Sequence, residues 1–263
     1  MKEERKVDRR LVRDILVTSM SVILFLIVLA PTCIPPLYDY DVKLIPVSGE
    51  GEGGRVIIEE DSSITYNREG LRINIRYMSD KELNARYPEN SNQGEFSTNP
   101  FTYGNWVDPE LGYTPNRFTV FLVSVHNPVL PKVELDPAKA VLWTDRGERL
   151  KYYGISREES ENNFEEYYIY LRGPGGNERY RFEERMGIVK EELYRKDRKI
   201  FKGQDYHGYI VFAPLHDEVK EVELRIEDFV IRFDEFDLPI ETIDLKFKFK
   251  RVVHKSLKSE VAS

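Results

Sequence analysis

One cysteine, Cys33, stands in a chain of 263 residues, so neither an intramolecular disulfide nor a cysteine-cluster zinc site can form. The four histidines are scattered rather than spaced as metal ligands. His207 and His216 flank one strand signal, and nine residues of strand hold them about 30 Å apart. Acidic residues outnumber basic ones, 46 to 39, for a net charge of −7, which argues against a phosphate-backbone partner and so against nucleic acid. Also absent are a Gly-x-Ser-x-Gly elbow, a phosphate-cradling glycine loop, a His-Glu-x-x-His pair and a calcium-loop spacing. No repeat of fixed period occurs. The sequence therefore implies no cofactor, no metal site and no catalytic constellation.

Long hydrophobic runs are scarce too. The run Ile15 to Ala30 is interrupted only by Thr18, Ser19 and Ser21. As a helix it reaches about 24 Å at ~1.5 Å per residue, short of the ~30 Å hydrocarbon core of a bilayer. Before it, Met1–Asp14 carries six cations (Lys2, Arg5, Lys6, Arg9, Arg10, Arg13) and four acids (Glu3, Glu4, Asp8, Asp14). After it, Pro31, Pro35 and Pro36 end any helix. A basic stretch, a short apolar stretch and a break form the plan of a secretory signal. Cys33 lies three residues beyond the run, a placement that resembles the lipobox of bacterial lipoproteins, with Ala30 and Thr32 where that motif prefers Leu and a small residue. The resemblance implies cleavage before Cys33 and lipidation of its thiol; the alternative is an uncleaved membrane-targeting helix. Either outcome leaves the basic end inside and the remainder extracytoplasmic. Residues 1–33 are thus read as signal peptide or membrane anchor. Removing their six basic and four acidic residues takes the net charge from −7 to −9.

Residues 34–54 open on prolines and close on Gly49-Glu-Gly-Glu-Gly-Gly54, which reads as a tether, with Val42–Val47 as a candidate edge strand. Beyond it, strand signals dominate. Leu71, Ile73, Ile75 and Tyr77 alternate with Arg72, Asn74 and Arg76, a half-buried pattern. Phe118–Val125 is almost wholly apolar, as a strand buried on both faces should be. Lys132–Asp136, Ala140–Thr144, Leu150–Tyr153 and Tyr209–Phe212 follow. Val222, Leu224 and Ile226, then Phe229, Ile231 and Phe233, then Ile243, Leu245, Phe247 and Phe249 repeat the alternation. Seven or more short strands with polar turns indicate a mainly β fold, an antiparallel sandwich, over residues 55–254, with 255–263 as a tail.

Helical signals are fewer. Ser79-Asp-Lys-Glu82 is a capping box opening a short helix that Pro88 stops. Within residues 156–198, a second capping box (Ser156–Glu159), the series Phe164, Tyr168, Leu171 and the series Phe182, Met186, Val189, Leu193 predict an inserted antiparallel helical hairpin. Its acids (Glu158, Glu159, Glu161, Glu165, Glu166) and cations (Arg179, Arg181, Arg185, Lys190) are expected to pair between the arms.

The segments FTVFLVSVHN, LDPAKAVLWTDRGERLKYYG, GYIVFAPL and EVELRIEDFVIRFD, across residues 118–236, resemble the immunoglobulin-like domains of bacterial envelope lipoproteins. The resemblance implies an immunoglobulin-like β-sandwich on a membrane-attached lipoprotein of the periplasm or cell surface, and no particular activity.

Two features outside the core pattern invite a functional reading. Ser124 and His126 share one face of the central strand, but a nucleophile–base pair needs an open pocket and a third, orienting group; a core serine and a strand-end histidine is the simpler account. The loop Phe96–Tyr113 carries Phe101, Tyr103, Trp106 and Tyr113 among Gly, Asn and Pro, with Asp108 nearby. Such rings stack on sugars or anchor a protein partner, or fold back to cover the sandwich. The expectation is a non-catalytic, membrane-tethered binding or scaffolding protein of the bacterial envelope, with an envelope protein or glycan as partner. The alternative is an envelope hydrolase acting on glycans through carboxylates near this loop.

Overall fold

The computed structural model describes residues 36–171 and 176–258. The apolar run, the expected N-terminal helix and Cys33 lie outside the described residues. The chain divides into a unit ending at Pro36 and a second, Leu37–Ser263, which carries the elements below.

The first strands are β1 (Tyr38–Gly51), β2 (Arg55–Ile58), β3 (Ile64–Arg68) and β4 (Leu71–Met78), followed by helices α1 (Asp80–Arg86) and α2 (Pro88–Ser91). After an irregular loop come β5 (Thr119–Asn127), β6 (Lys132–Glu134), β7 (Ala140–Thr144), β8 (Arg149–Lys151), β9 (Tyr153–Gly154) and β10 (Asn162–Asn163). Helices α3 (Phe164–Tyr170) and α4 (Gly176–Glu192) precede β11 (Lys199–Phe201), β12 (Gln204–Phe212), β13 (Glu221–Phe233) and β14 (Pro239–Leu257). The fold is mainly β. One antiparallel sheet has the order β12-β5-β4-β3-β2; a second runs β1-β14-β13 and continues through β6 to β11 and through β7 to β8, and β9 and β10 form a small parallel pair.

The two large sheets share one core. Ile73 and Ile75 of β4 and Phe121, Val123 and Val125 of β5 pack in the same cluster as Leu224, Ile226, Leu245, Phe247 and Phe249 of the other sheet. The opposite face of β5 meets the helices. Val120, with Tyr209 and Val211 of β12, lies in a second cluster with Leu83, Phe164, Tyr168, Met186 and Val189. The start of β5 is thus buried on both faces, as its apolar run requires. Past Leu122 that second face turns polar, at Ser124 and His126, where the helices no longer cover it.

Residues 38–51 are not a tether. They form β1, paired with β14 from Tyr38↔Leu257 to Gly51↔Leu245, with a bulge between Pro46 and Ser48. Proline suits that position because an edge strand at a bulge has no ladder donor to lose. The glycines that suggested flexibility instead make room for the buried ring of Tyr66: a Cβ on Gly51 would lie 2.4 Å from it, and one on Gly54 2.2 Å. The Tyr66 hydroxyl donates to the Glu52 carbonyl at 2.6 Å. The expected tail is likewise shortened, since β14 continues to Leu257.

The capping box at Ser79 forms in full: Ser79 Oγ accepts from Glu82 N–H at 3.3 Å, and Ser79 N–H donates to Glu82 Oε2 at 3.0 Å. Pro88 ends α1 and also opens α2, a first-turn position where its missing N–H costs nothing. The box at Ser156 opens no helix; its backbone makes turns and Glu159 accepts from Ile155 N–H at 2.8 Å. Ion pairs also differ from expectation. Arg179–Glu183 and Arg181–Glu178 form within α4, Glu161 pairs with Lys151, and Arg185 is buried. Among the described residues none joins the acids of α3 to the cations of α4. The strand β13 explains the phase change in its sequence: a bulge between Ile226 and Phe229 places Glu227 and Asp228 outward, with Asp228 at φ 52°.

Gly51→Ala should therefore lower stability by about 1–3 kcal/mol through overpacking against Tyr66 and Leu245. A thermal melt checks this, and Tyr66→Leu in the same chain should recover part of the loss.

Candidate functional site

The aromatic loop is held by polar groups buried under it. Asn99 Nδ2 donates to Ser91 Oγ at 3.0 Å and to the Leu83 carbonyl at 3.3 Å, while its Oδ1 accepts from Phe101 N–H at 3.0 Å. Two buried guanidiniums clamp the same stretch: Arg185 donates to the Ser97 carbonyl at 2.9 Å, and Arg117 to the Asn99 carbonyl at 3.3 Å. Gly104 sits at φ +63°, where a Cβ would stand 2.3 Å from the Ser91 carbonyl oxygen, so only glycine lets the loop close on α2.

This anchoring commits most of the expected contact residues. Phe101 is wholly buried, edge-on to Phe164 and Tyr209. Tyr113 is buried and stacks on Tyr40 with centroids 4.3 Å apart. The Arg117 guanidinium lies 4.0 Å from the Tyr103 ring centre. Asp108 Oδ1 accepts from Glu110 N–H at 2.8 Å and Leu111 N–H at 3.1 Å, closing its own turn. Phe101, Tyr113 and Asp108 are therefore structural. Trp106 is half-buried, 5.5 Å from Tyr103. The rings cover the core end more than they offer a platform.

What the loop does build is one wall of a cleft. A cavity of about 620 Å³ is lined by Asp39, Tyr40 and Asp41 of β1, Asp80, Lys81 and Asn84 of α1, Gly104, Thr114 and Asn116 of the loop, and His254 and Ser256 of β14. Trp106 is not part of this wall. The chemistry centres on Asp80. Its residue keeps some exposure, but Oδ1 is fully shielded and has no hydrogen-bond partner. Burial pushes the Asp80 carboxyl up to about 7; the Asn116 amide and the Arg117 charge oppose that shift, and Asp41 adds to it. A carboxyl so placed, in a cleft and with its pKa raised toward neutrality, is a candidate functional position. It can hold or release a proton near neutral pH.

A second polar surface lies on the uncovered part of the β5 sheet. A groove of about 450 Å³ is lined by Glu59, Thr65, Arg72, Asn74, Ser124, Val125, His126 and Asp205. His126 Nδ1 contacts the Asp205 carboxylate, its direct cross-strand neighbour. When Nδ1 donates there, Nε2 is the free acceptor. The sheet thus supplies both conditions that Ser124 and His126 lacked in sequence, an open pocket and an orienting group. No hydrogen bond joins Ser124 to His126 among the described residues. Nor does any group of three or more His, Cys, Asp or Glu among them form a metal-binding set.

Sequence reasoning missed the Asp80 cleft because its walls were read as other things. Asp39 and Asp41 fell in the supposed tether, His254 at the domain's last residue, Ser256 in the supposed tail, and Asp80 inside a capping box. The available signal was the spacing Asp39-x-Asp41 next to Val42–Val47, which puts two carboxylates on one face of a strand.

Asp80 also gives stability a pH dependence. In the unfolded chain it ionises near 3.8 and in the folded one near 7, so the folded state holds the extra proton between these values. Stability falls as pH rises from about 4 to about 7 and is level beyond, on the order of a few kcal/mol. Asp80→Asn should remove that slope and raise the denaturation midpoint at pH 8, read as the difference from the parent chain in urea melts at pH 4 to 8.

Comparison with protein-family models, with curated proteins and with solved structures finds no match for this chain.

Proposed function

We propose that this chain is a membrane-tethered, extracytoplasmic binding or scaffolding lipoprotein of a bacterial cell envelope, with an immunoglobulin-like sandwich as its body and the Asp80 cleft as its binding element. The single observation that carries the binding role is a cleft of about 620 Å³ with the buried carboxyl of Asp80 in its lining, a size that suits a small ligand. A ligand presenting a hydrogen-bond donor suits a lining that carries the carboxyls of Asp39, Asp41 and Asp80. The signal-like N-terminus and Cys33 support attachment to the membrane. No helix among the described residues is long and apolar enough to cross one. The partner is a small polar molecule, an envelope glycan or an envelope protein presenting such a group.

The test of location is fractionation of bacteria expressing the full chain, followed by intact-mass measurement of the membrane extract. A mass starting at Cys33 with acyl groups, or the full-length mass in the membrane fraction, is expected. Full-length protein in the cytosolic fraction overturns the reading.

A hydrolytic reading is favoured by one observation, the Asp205–His126 contact beside Ser124 in the open groove. A fluorophosphonate probe separates the two. Binding alone predicts no adduct on Ser124 by peptide mass mapping; an adduct that disappears in His126→Ala establishes a nucleophilic serine.

A further inference from the structure

We infer that the end of the body where the chain enters it, around Tyr38, docks on the bilayer surface, with Leu37, Leu111, Val253 and Leu257 reaching past the lipid headgroups. This rests on the membrane attachment proposed above and goes beyond it by naming the surface that meets the lipid.

Three observations lead there. First, four aliphatic side chains are left in solvent at one place. Leu37 is 51% exposed, Leu111 41%, Val253 44% and Leu257 66%. Tyr38 gathers them: it pairs with Leu257 across β1 and β14, and its N–H donates to the Gly112 carbonyl at 2.8 Å, which brings Leu111 alongside. Lys258 N–H donates to the Leu37 carbonyl at 2.9 Å. Single exposed leucines are ordinary on a protein surface, but a group of them marks a contact.

Second, the rings and cations at this place suit a boundary between water and lipid. Val253, Lys255 and Leu257 share one face of β14 by its period of two. Lys255 Nζ lies 4.4 Å from the Tyr38 ring centre and 4.5 Å from that of Tyr113. It forms no ion pair among the described residues. Tyrosine rings sit at headgroup level, and a lysine stem runs along apolar surface while its charge stays in water. The net charge of −9 beyond Cys33 disfavours anionic headgroups, so the contact is an apolar one with neutral lipid.

Third, the chain itself is short here. Cys33 stands four residues before Leu37, and four residues span about 14 Å at most. A lipid on Cys33 therefore keeps Leu37 close to the headgroups. An uncleaved apolar run ending at Ala30 leaves seven residues, or about 25 Å. A second exposed apolar group, Phe236, Leu238 and Ile240 at the turn between β13 and β14, lacks that link. Along β14, from Pro239 to Leu257, it lies about 60 Å away at ~3.3 Å per residue.

The test uses the full chain, extracted from bacterial membranes and reconstituted into phosphatidylcholine vesicles whose acyl chains are brominated near the headgroup or left unbrominated. Flotation first shows whether the chain is on the vesicles. Leu111→Trp and, as a second position, Leu257→Trp add a tryptophan to the patch; Phe236→Trp adds one at the far turn. Each variant is confirmed as folded by its thermal melt. The fluorescence that the two patch variants add to the parent chain should fall roughly twofold or more on bromination, while that added by Phe236→Trp stays unchanged. Vesicle-bound chain with neither patch tryptophan quenched overturns the inference and leaves membrane attachment standing. Equal quenching at the far turn overturns the assignment of this end. Patch emission that shifts to the blue only as protein concentration rises, without quenching, gives the face to a second copy and overturns the lipid contact. A chain that does not float with the vesicles overturns attachment and inference together.

Discussion

The pairing of β14 with β1 on one edge and β13 on the other is the constraint on which the rest depends. Ile243, Leu245, Phe247 and Phe249 are buried along β14 while Asp244, Lys246, Lys248 and Lys250 face outward, so one strand supplies a continuous apolar row to the core. Its register fixes where β1 lies, and with β1 the residues Asp39 and Asp41. Because β14 runs past the sheet's apolar part to Leu257, the two ends of this unit lie side by side, each paired to the other. The cleft exists only because of that closure: one wall belongs to the first strand of the unit, another to the last.

The second sheet shows how one strand can serve a core, a covering layer and an open surface. Period-two alternation sends Phe121, Val123 and Val125 to the inter-sheet core. The other face is apolar only where α3, α4 and the aromatic loop lie over it, and polar from Ser124 onward. Helices and loop therefore act together as a partial lid on the sheet, and the two arginines beneath the loop hold it there through backbone carbonyls. Each donates to one loop carbonyl, Arg117 to that of Asn99 and Arg185 to that of Ser97, and Arg117 also to the Tyr168 hydroxyl.

Among the described residues Asp80 Oδ1 is one of eight buried side-chain atoms without a hydrogen-bond partner, and the one carboxylate oxygen among them. Where local rules are broken without local compensation, function is the usual reason. The capping box beside it is complete, the helix is short and sound, and a neutral side chain at that position would be more stable at neutral pH.

Much of this was legible from residues alone. Alternation gave β4 and the long C-terminal strands, and an almost unbroken apolar run gave β5; the Ser79 box gave α1; the spacing of Met186 and Val189 gave the buried face of α4. These are local patterns, each set by which side of an element meets apolar neighbours. The sequence by itself also determined the acidic balance, the lone cysteine at the end of an apolar run and the absence of familiar catalytic motifs. Other features needed the tertiary structure. Glycine and proline look the same in a flexible tether as in an edge strand that wraps Tyr66, because the difference is the ring packed against them. An aromatic loop looks like a binding platform until Phe101 and Tyr113 are seen to spend their faces on the core. Asp39, Asp41, Asp80 and His254 are ordinary surface residues in sequence, and only long-range strand pairing, with separations near the length of the unit, brings them around one cavity.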